Sequence, residues 1–333
     1  MEATLEGDTV RLGPPGRERF YDSRGYGRPR GDGLDLTPVE AAHLLYRGDV
    51  ESVDGHDLRS FLAATGAFVE FLVYKDLRDR GFYLSPAREG WVKDPEGDLV
   101  VYPRGKGPWD GAVAHRVRVL SERETVPAAD LTGTLAVVDE ESEITYFELG
   151  EPPMDGATDH PLPEGVEGSL LSDRVVLWDP PEGLYERSFY GQPLEGRGSG
   201  GPLQCSLVEA AELAGRGVLA VEGGERAVVE RGRAVEGERF DRRLAAYRAL
   251  RADGAVPKTG YKFGADFRVY REVESVESLG HSTYLVRVVP EGATFDPRAL
   301  ALDVRLAGGV RKTLVVALVG EGVEWRSVSR LTP

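Results

Sequence analysis

A phenol, an imidazole and an ammonium group come within a short stretch near the C-terminus. Tyr270 closes the run Lys258-Thr-Gly-Tyr-Lys-Phe-Gly-Ala-Asp-Phe-Arg-Val-Tyr270, His281 opens His-Ser-Thr-Tyr-Leu-Val, and Lys312 follows Val310-Arg311. Cutting RNA through its own 2′-hydroxyl needs a base for that proton, an acid for the departing 5′-oxygen, and positive charge for the pentavalent phosphorane. Tyr, His and Lys can fill those roles in that order. A phenol is the awkward member, because its ordinary pKa of about 10 must fall by roughly three units, about 4 kcal/mol of differential stabilisation. A nearby ammonium favours phenolate, so one lysine can serve both base and transition state. The imidazole must be protonated to act as acid, a form that an adjacent phosphate favours. No metal-ligand cluster accompanies the three, and neither a metal nor a cofactor is expected.

The elements that must position these groups are written twice. Asp8-Thr-Val-Arg-Leu matches Asp173-Arg-Val-Val-Leu, Tyr26-Gly-Arg-Pro29 matches Tyr190-Gly-Gln-Pro193, and Val39-Glu-Ala-Ala-His matches Val208-Glu-Ala-Ala-Glu. Tyr74-Lys-Asp-Leu-Arg matches Tyr247-Arg-Ala-Leu-Arg, Val101-Tyr102 matches Val269-Tyr270, and Val117-Arg-Val matches Val286-Arg-Val, in constant order at offsets of 164 to 173 residues. This is a degenerate tandem repeat. Each copy divides into a small first part (residues 1–66 and 170–238) and a second part (67–150 and 239–333), with a linker over 151–169. Thr37, Pro38 and Glu40 form a helix start. Helices are expected over Phe68–Arg80 and Phe240–Ala252, ending at Gly81 and Gly254, and over Asp296–Leu306. Strands are expected over Phe267–Tyr270, Tyr284–Val289 and Thr313–Val319. The fold class is α/β (α+β), a mixed sheet flanked by helices. Aligning the copies puts Ala112 opposite His281 and Gly133 opposite Lys312. Of the three groups only Tyr102 survives, so the first copy is expected to be catalytically silent. Tyr102, His43, His56, His115 and His160 are read as structural.

The run from Lys258 through Tyr270, His281 and Lys312 resembles the catalytic segment of the archaeal tRNA-splicing (tRNA-intron) endonucleases, in their long-chain form of two tandem repeats. The resemblance implies Tyr270 as general base, His281 as general acid and Lys312 as transition-state stabiliser, on a restriction-endonuclease-like core. It implies metal-independent transesterification at both splice sites of a bulge-helix-bulge in precursor tRNA, leaving a 2′,3′-cyclic phosphate and a 5′-hydroxyl for a downstream RNA ligase. Precursor ribosomal RNA is a second candidate substrate. Arg305 and, less well aligned, Arg326 would stack on splayed bases. The resemblance also implies a homodimer, held by the acidic loop Asp139, Glu140, Glu141 and Glu143, where the second copy has the shorter Gly320-Glu-Gly322.

Competing chemistries have less behind them. Glu195-Gly-Arg-Gly-Ser-Gly-Gly201 lacks the Gly-Lys-[Ser/Thr] of a phosphate loop. A carboxylate-based, metal-dependent DNA nuclease would need an Asp…[Asp/Glu]-x-Lys pair near Asp266, and none is present. A non-catalytic scaffold for structured RNA is the remaining alternative; the intact triad of the second copy argues against it.

Net charge is −15, unusual for a protein that binds phosphate backbones. The basic excess is local: residues 240–333 hold 15 Lys and Arg against 11 Asp and Glu, in the same module as the triad. Of 41 basic residues only six are lysine, which gives weight to a lysine at position 312. The single Cys205 excludes an intrachain disulfide and points to a small buried side chain. No apolar run of about 18 residues and no basic, apolar leader is seen, so a cytoplasmic protein without membrane contact is expected. The many carboxylates suit a salt-rich interior, where hydrated acidic surfaces resist aggregation. The melting temperature is therefore expected to rise with KCl into the molar range; a flat or falling curve would reject this adaptation.

Overall fold

Period-two alternation and β-branched runs, Phe267–Tyr270 and Thr313–Val319 among them, form strands where the pattern places them in a computed structural model that describes residues 3–196 and 201–333. Ten strands make one sheet. The first repeat supplies β1 (Leu84–Pro86), β2 (Leu99–Val101), β3 (His115–Ser121), β4 (Thr134–Val138) and β5 (Ile144–Gly150). The second supplies β6 (Val256–Thr259), β7 (Phe267–Tyr270), β8 (Tyr284–Pro290), β9 (Thr313–Val319) and β10 (Val323–Leu331). Their spatial order, β6-β7-β8-β9-β10-β5-β4-β3-β2-β1, is palindromic, and antiparallel pairing of β10 with β5 joins the repeats. In each half the parallel pair, β8 with β9 and β3 with β4, is the place where the chain crosses over.

The helices follow their caps. In α1 (Pro38–Tyr46) the Thr37 N–H donates to Glu40 Oε2 at 3.0 Å, and in α3 (Leu207–Gly215) the Ser206 N–H donates to Glu209 Oε2 at the same distance. Gly81 and Gly254, at φ +89° and +77°, follow α2 (Phe68–Asp79) and α4 (Glu238–Ala252). The helix α5 (Pro297–Gly309) starts at its Asp296 cap but runs three residues past Leu306. It stops where Arg311 turns left-handed at φ +56° and the Lys312 N–H closes onto Ala307 O at 2.9 Å.

Each first part is a small four-stranded sheet with its helix, built from Ala3–Glu6, Thr9–Leu12, Gly33–Leu36 and Arg28–Arg30, and again from Ser169–Leu170, Arg174–Leu177, Leu203–Ser206 and Gln192–Pro193. The copies diverge at the centre. Where the second has α5, the first has only the turn Ala128–Asp130. The apolar face of α5, Leu300, Val304 and Ala307, covers a core shared by both repeats, with Leu135 and Phe147 on one side and Leu285 and Leu318 on the other. The segment 151–169 is not wholly a linker, since Val166–Glu167 pairs with Leu219–Ala220 and Ser169–Leu170 enters the small sheet.

Register corrects one alignment. Val117 pairs with Thr134, whereas Val286 pairs with Val315. Thr134 therefore corresponds to Val315, and Leu131, not Gly133, stands where the second copy has Lys312. The two extra residues of the Asp139–Glu143 loop absorb the offset, and sequence matching of Thr-Leu to Thr-Leu could not see it. The first copy still lacks the ammonium.

Candidate functional site

Tyr270 ends β7. Val269 pairs with Tyr284 and Tyr284 with Thr313, so Tyr270, Thr283 and Lys312 each lie one residue beyond the last paired row, at the same end of three neighbouring strands. Two strand spacings separate the outer backbones by about 10 Å, a gap that a phenol and a lysine can close from both sides. The Lys312 ammonium donates to Ser282 O at 2.8 Å, one residue from the exposed His281. Partial burial, and after it the charge of Arg268, holds the Lys312 ammonium below the ordinary lysine pKa. The row therefore gathers the three groups at one end of the sheet. The Tyr270 ring is buried, while its hydroxyl makes no hydrogen bond to any described residue.

Two supports come from outside the strands. The Phe189 ring meets the Tyr270 ring edge-on, with centroids 5.7 Å apart and planes at 64°. Phe189 sits at φ +52°, a left-handed conformation that costs a side-chain-bearing residue roughly 1–2 kcal/mol. Its counterpart is Gly25, at φ +68°, so the first copy adopts the same turn with no such cost. Sequence reasoning missed Phe189, although it stands one residue before the matched Tyr190-Gly and could have been found there. The second support is the segment before the second repeat. Ala157 N–H donates to Arg271 O at 2.7 Å, Val273 N–H to Thr158 Oγ1 at 2.9 Å, and Tyr284 OH to Pro153 O at 3.1 Å. These bonds pin the start of the loop that carries His281. A Cβ at Gly156 would lie 2.4 Å from Gly254 O, so only glycine allows so close a strap.

The model of the tRNA intron endonuclease catalytic C-terminal domain matches residues 240–325, and that of its N-terminal domain matches twice, over residues 1–63 and 166–231. The chain belongs to the tRNA intron endonuclease family. It is 63% identical to a tRNA-splicing endonuclease of Haloarcula marismortui and 60% identical to one of Natronomonas pharaonis, each over 100% of both chains. Identity to a tRNA-splicing endonuclease of Methanosarcina acetivorans is 38% over 99% of both chains.

Set against this tRNA intron endonuclease fold, the first copy is distinct in detail. Ala112 stands for His281 and Leu131 for Lys312, while the Tyr102 hydroxyl is closed onto Ser85 Oγ at 3.0 Å. Arg305 is exposed on α5 and lines a hollow of about 320 Å³ together with Arg298, Leu302 and Asp139, beside the acidic loop and not in the Tyr270–Lys312 row. Arg326 is tied to Glu324 at 2.8 Å and faces Glu151 at 3.7 Å. Asp139 shapes its own loop, accepting the N–H groups of Glu141 and Glu143 at 2.9 Å each. Glu140, Glu141 and Glu143 are left exposed, with Glu140 against Arg123.

The other singled-out residues lie elsewhere. Asp266 is buried on Arg239 at 2.5 Å and Arg243 at 3.3 Å and accepts from Val288 N at 2.8 Å. His43 is buried against the Tyr26 hydroxyl at 2.8 Å, and burial, aided by the Arg78 charge, pushes its imidazole down to about 4. His160 contacts Val273 O at 3.2 Å, and His115 contacts Thr134 Oγ1 at 3.5 Å. The His56 backbone closes a turn on Val53, and Cys205 is buried. Part of the Glu195–Gly201 loop lies outside the described residues. No cluster of three or more His, Cys, Asp or Glu side chains able to hold a metal ion, and no helix long and apolar enough to cross a membrane, occurs among the described residues.

Proposed function

We propose that this protein excises introns from precursor tRNA by cutting both splice sites of a bulge-helix-bulge without a metal. The observation that carries the reading is the row of Tyr270 and Lys312 with His281 beside it, in a copy whose twin keeps only the tyrosine. Tyr270 takes the proton of the 2′-hydroxyl, whose oxygen attacks the adjacent phosphorus. Lys312 meets the negative charge that grows on the phosphorane. As the P–O5′ bond breaks, His281 gives its proton to the departing oxygen. The products are a 2′,3′-cyclic phosphate and a 5′-hydroxyl, the substrates of an RNA ligase. Arg305 stacks on a splayed base; Arg326 can do so only after leaving Glu324 and Glu151. The test is incubation in EDTA with a bulge-helix-bulge RNA and analysis of the ends. Two cuts with cyclic phosphate termini support the reading, and binding without cutting makes the chain a scaffold. Precursor ribosomal RNA carrying the same two bulges is cut by the same rule.

One active row per chain and two cuts per substrate call for a homodimer. The exposed Glu140, Glu141 and Glu143, presented by a turn that Asp139 fixes, hold the partner subunit. Changing the three to lysine while keeping Asp139 is expected to give monomers by light scattering at working salt. A dimer of unchanged mass would remove the loop from the interface.

A further inference from the structure

We propose that Arg268 is a fourth group of this site, a cation that contacts a phosphate of the bound RNA beside Lys312; the inference rests on the reading of Tyr270, His281 and Lys312 given above. Arg268 lies two residues before Tyr270 on β7, so the two side chains share a face. Its guanidinium carbon is 5.7 Å from the centre of the Tyr270 ring. Across the sheet Arg268 pairs with Leu285 and Leu285 with Leu314, one step along the same face from the row that ends at Lys312. On its other side it stands directly opposite Lys258, a like-charge pairing that costs a sheet stability.

What marks this arginine is the absence of an anion. Its Nε is buried without a hydrogen-bond partner, and its side chain makes no ion pair or hydrogen bond with any described residue. Its neighbours are already satisfied: Arg239 and Arg243 hold Asp266, and Lys258 holds Glu209. In a chain with 56 acidic residues a guanidinium next to a second cation and without a carboxylate partner keeps its hydrogen-bond donors for an anionic ligand. Electrostatics agree, since the Arg268 charge is one of the two influences that lower the Lys312 ammonium pKa. The silent copy supplies the control. Val100 takes the Arg268 position there, so the guanidinium is missing from the same copy that lacks His281 and Lys312, although the strand itself is kept. A residue needed to build the strand would have been kept in both copies; one needed for phosphate only where RNA is cut.

The experiment compares the full-length protein with Arg268→Gln and Arg268→Lys. It measures melting temperature, single-turnover cleavage of a bulge-helix-bulge RNA, and the salt dependence of binding to the same RNA made uncleavable by 2′-deoxy substitution at both cut sites. For Arg268→Gln the expected results are an unchanged or raised melting temperature, cleavage slowed about 100-fold, and a salt slope shallower by about 0.7–0.9, the loss of one phosphate contact. Arg268→Lys should recover part of the rate and all of the slope. Cleavage within threefold of the parent with an unchanged slope overturns the proposal. So does slow cleavage accompanied by a lowered melting temperature and an unchanged slope, which would make Arg268 a structural support of the Tyr270 ring. A parent that binds but does not cut condemns the triad reading instead, and the slope alone then decides whether Arg268 touches phosphate.

Discussion

His281→Ala is expected to slow single-turnover cleavage by about 10²–10⁴-fold, the range for loss of a positioned general acid, with an unchanged melting temperature. The second half of that expectation follows from location. His281 is exposed on the loop between β7 and β8, and substitutions at such sites shift stability by no more than about 0.5 kcal/mol. The first half depends on the leaving group, because an alkoxide departing without a proton is a far worse leaving group than an alcohol. That dependence gives a sharper test than the rate alone. An RNA with sulfur in place of the departing 5′-oxygen releases a thiolate, which needs no acid. His281→Ala should cut this RNA nearly as fast as the parent does, while Tyr270→Phe and Lys312→Ala remain slow on both. If sulfur fails to rescue the variant, His281 orients the phosphate or the loop and the acid must be sought elsewhere.

Much of this arrangement can be read in the sequence because it is local. Capping at Thr37, the α4 stop at Gly254 and the strands ending at Tyr270 and beginning at Thr313 each depend on a few adjacent residues, and each lies where its pattern places it. The duplication is legible for the same reason, as matched short motifs. What pattern could not supply is contact between distant segments. Nothing local in Phe189 says that its ring will stand against Tyr270, and nothing in Pro153–His160 says that this stretch will hold Arg271 and Val273. Those contacts are made by the folded neighbour, not by propensity. The two-residue slip between β4 and β9 was hidden by the same limit, because register is set by pairing across the sheet. Arg268 was in plain view within the motif, yet only its lack of a carboxylate separates it from the many arginines that have one.

Lys258→Met is expected to lower stability by about 3–5 kcal/mol above neutral pH, the cost of breaking a buried ion pair from one side. Both members are nearly out of solvent. Lys258 Nζ reaches Glu209 Oε1 at 2.5 Å, Gly191 O at 2.9 Å and Phe189 O at 3.2 Å, and lies 4.8 Å from the Phe189 ring centre. Burial alone would raise the Glu209 carboxyl, but the lysine's charge and hydrogen bond outweigh it and hold the group below the ordinary value. The first repeat shows the same site without the lysine. There Glu40 keeps equivalent bonds from Gly27 N at 2.6 Å and Thr37 N at 3.0 Å, Ser85 takes the lysine's place, and burial pushes the carboxyl up to about 7. Removing Lys258 should turn Glu209 into a second Glu40. The pH dependence follows with opposite signs. In the parent a depressed carboxyl adds stability that is present above the ordinary carboxylate range and is lost as pH falls through its folded value. In the variant a raised carboxyl favours the folded state at low pH, an advantage lost between about 4.5 and 7. Parent and variant should thus differ most at pH 8 and least at pH 5 when denaturant unfolding is followed at constant high salt. A gap that is equal at both pH values would mean that Glu209 stays ionised without its partner. Cleavage should weaken along with stability, because the same ammonium holds the carbonyl and the ring of Phe189, against which Tyr270 rests.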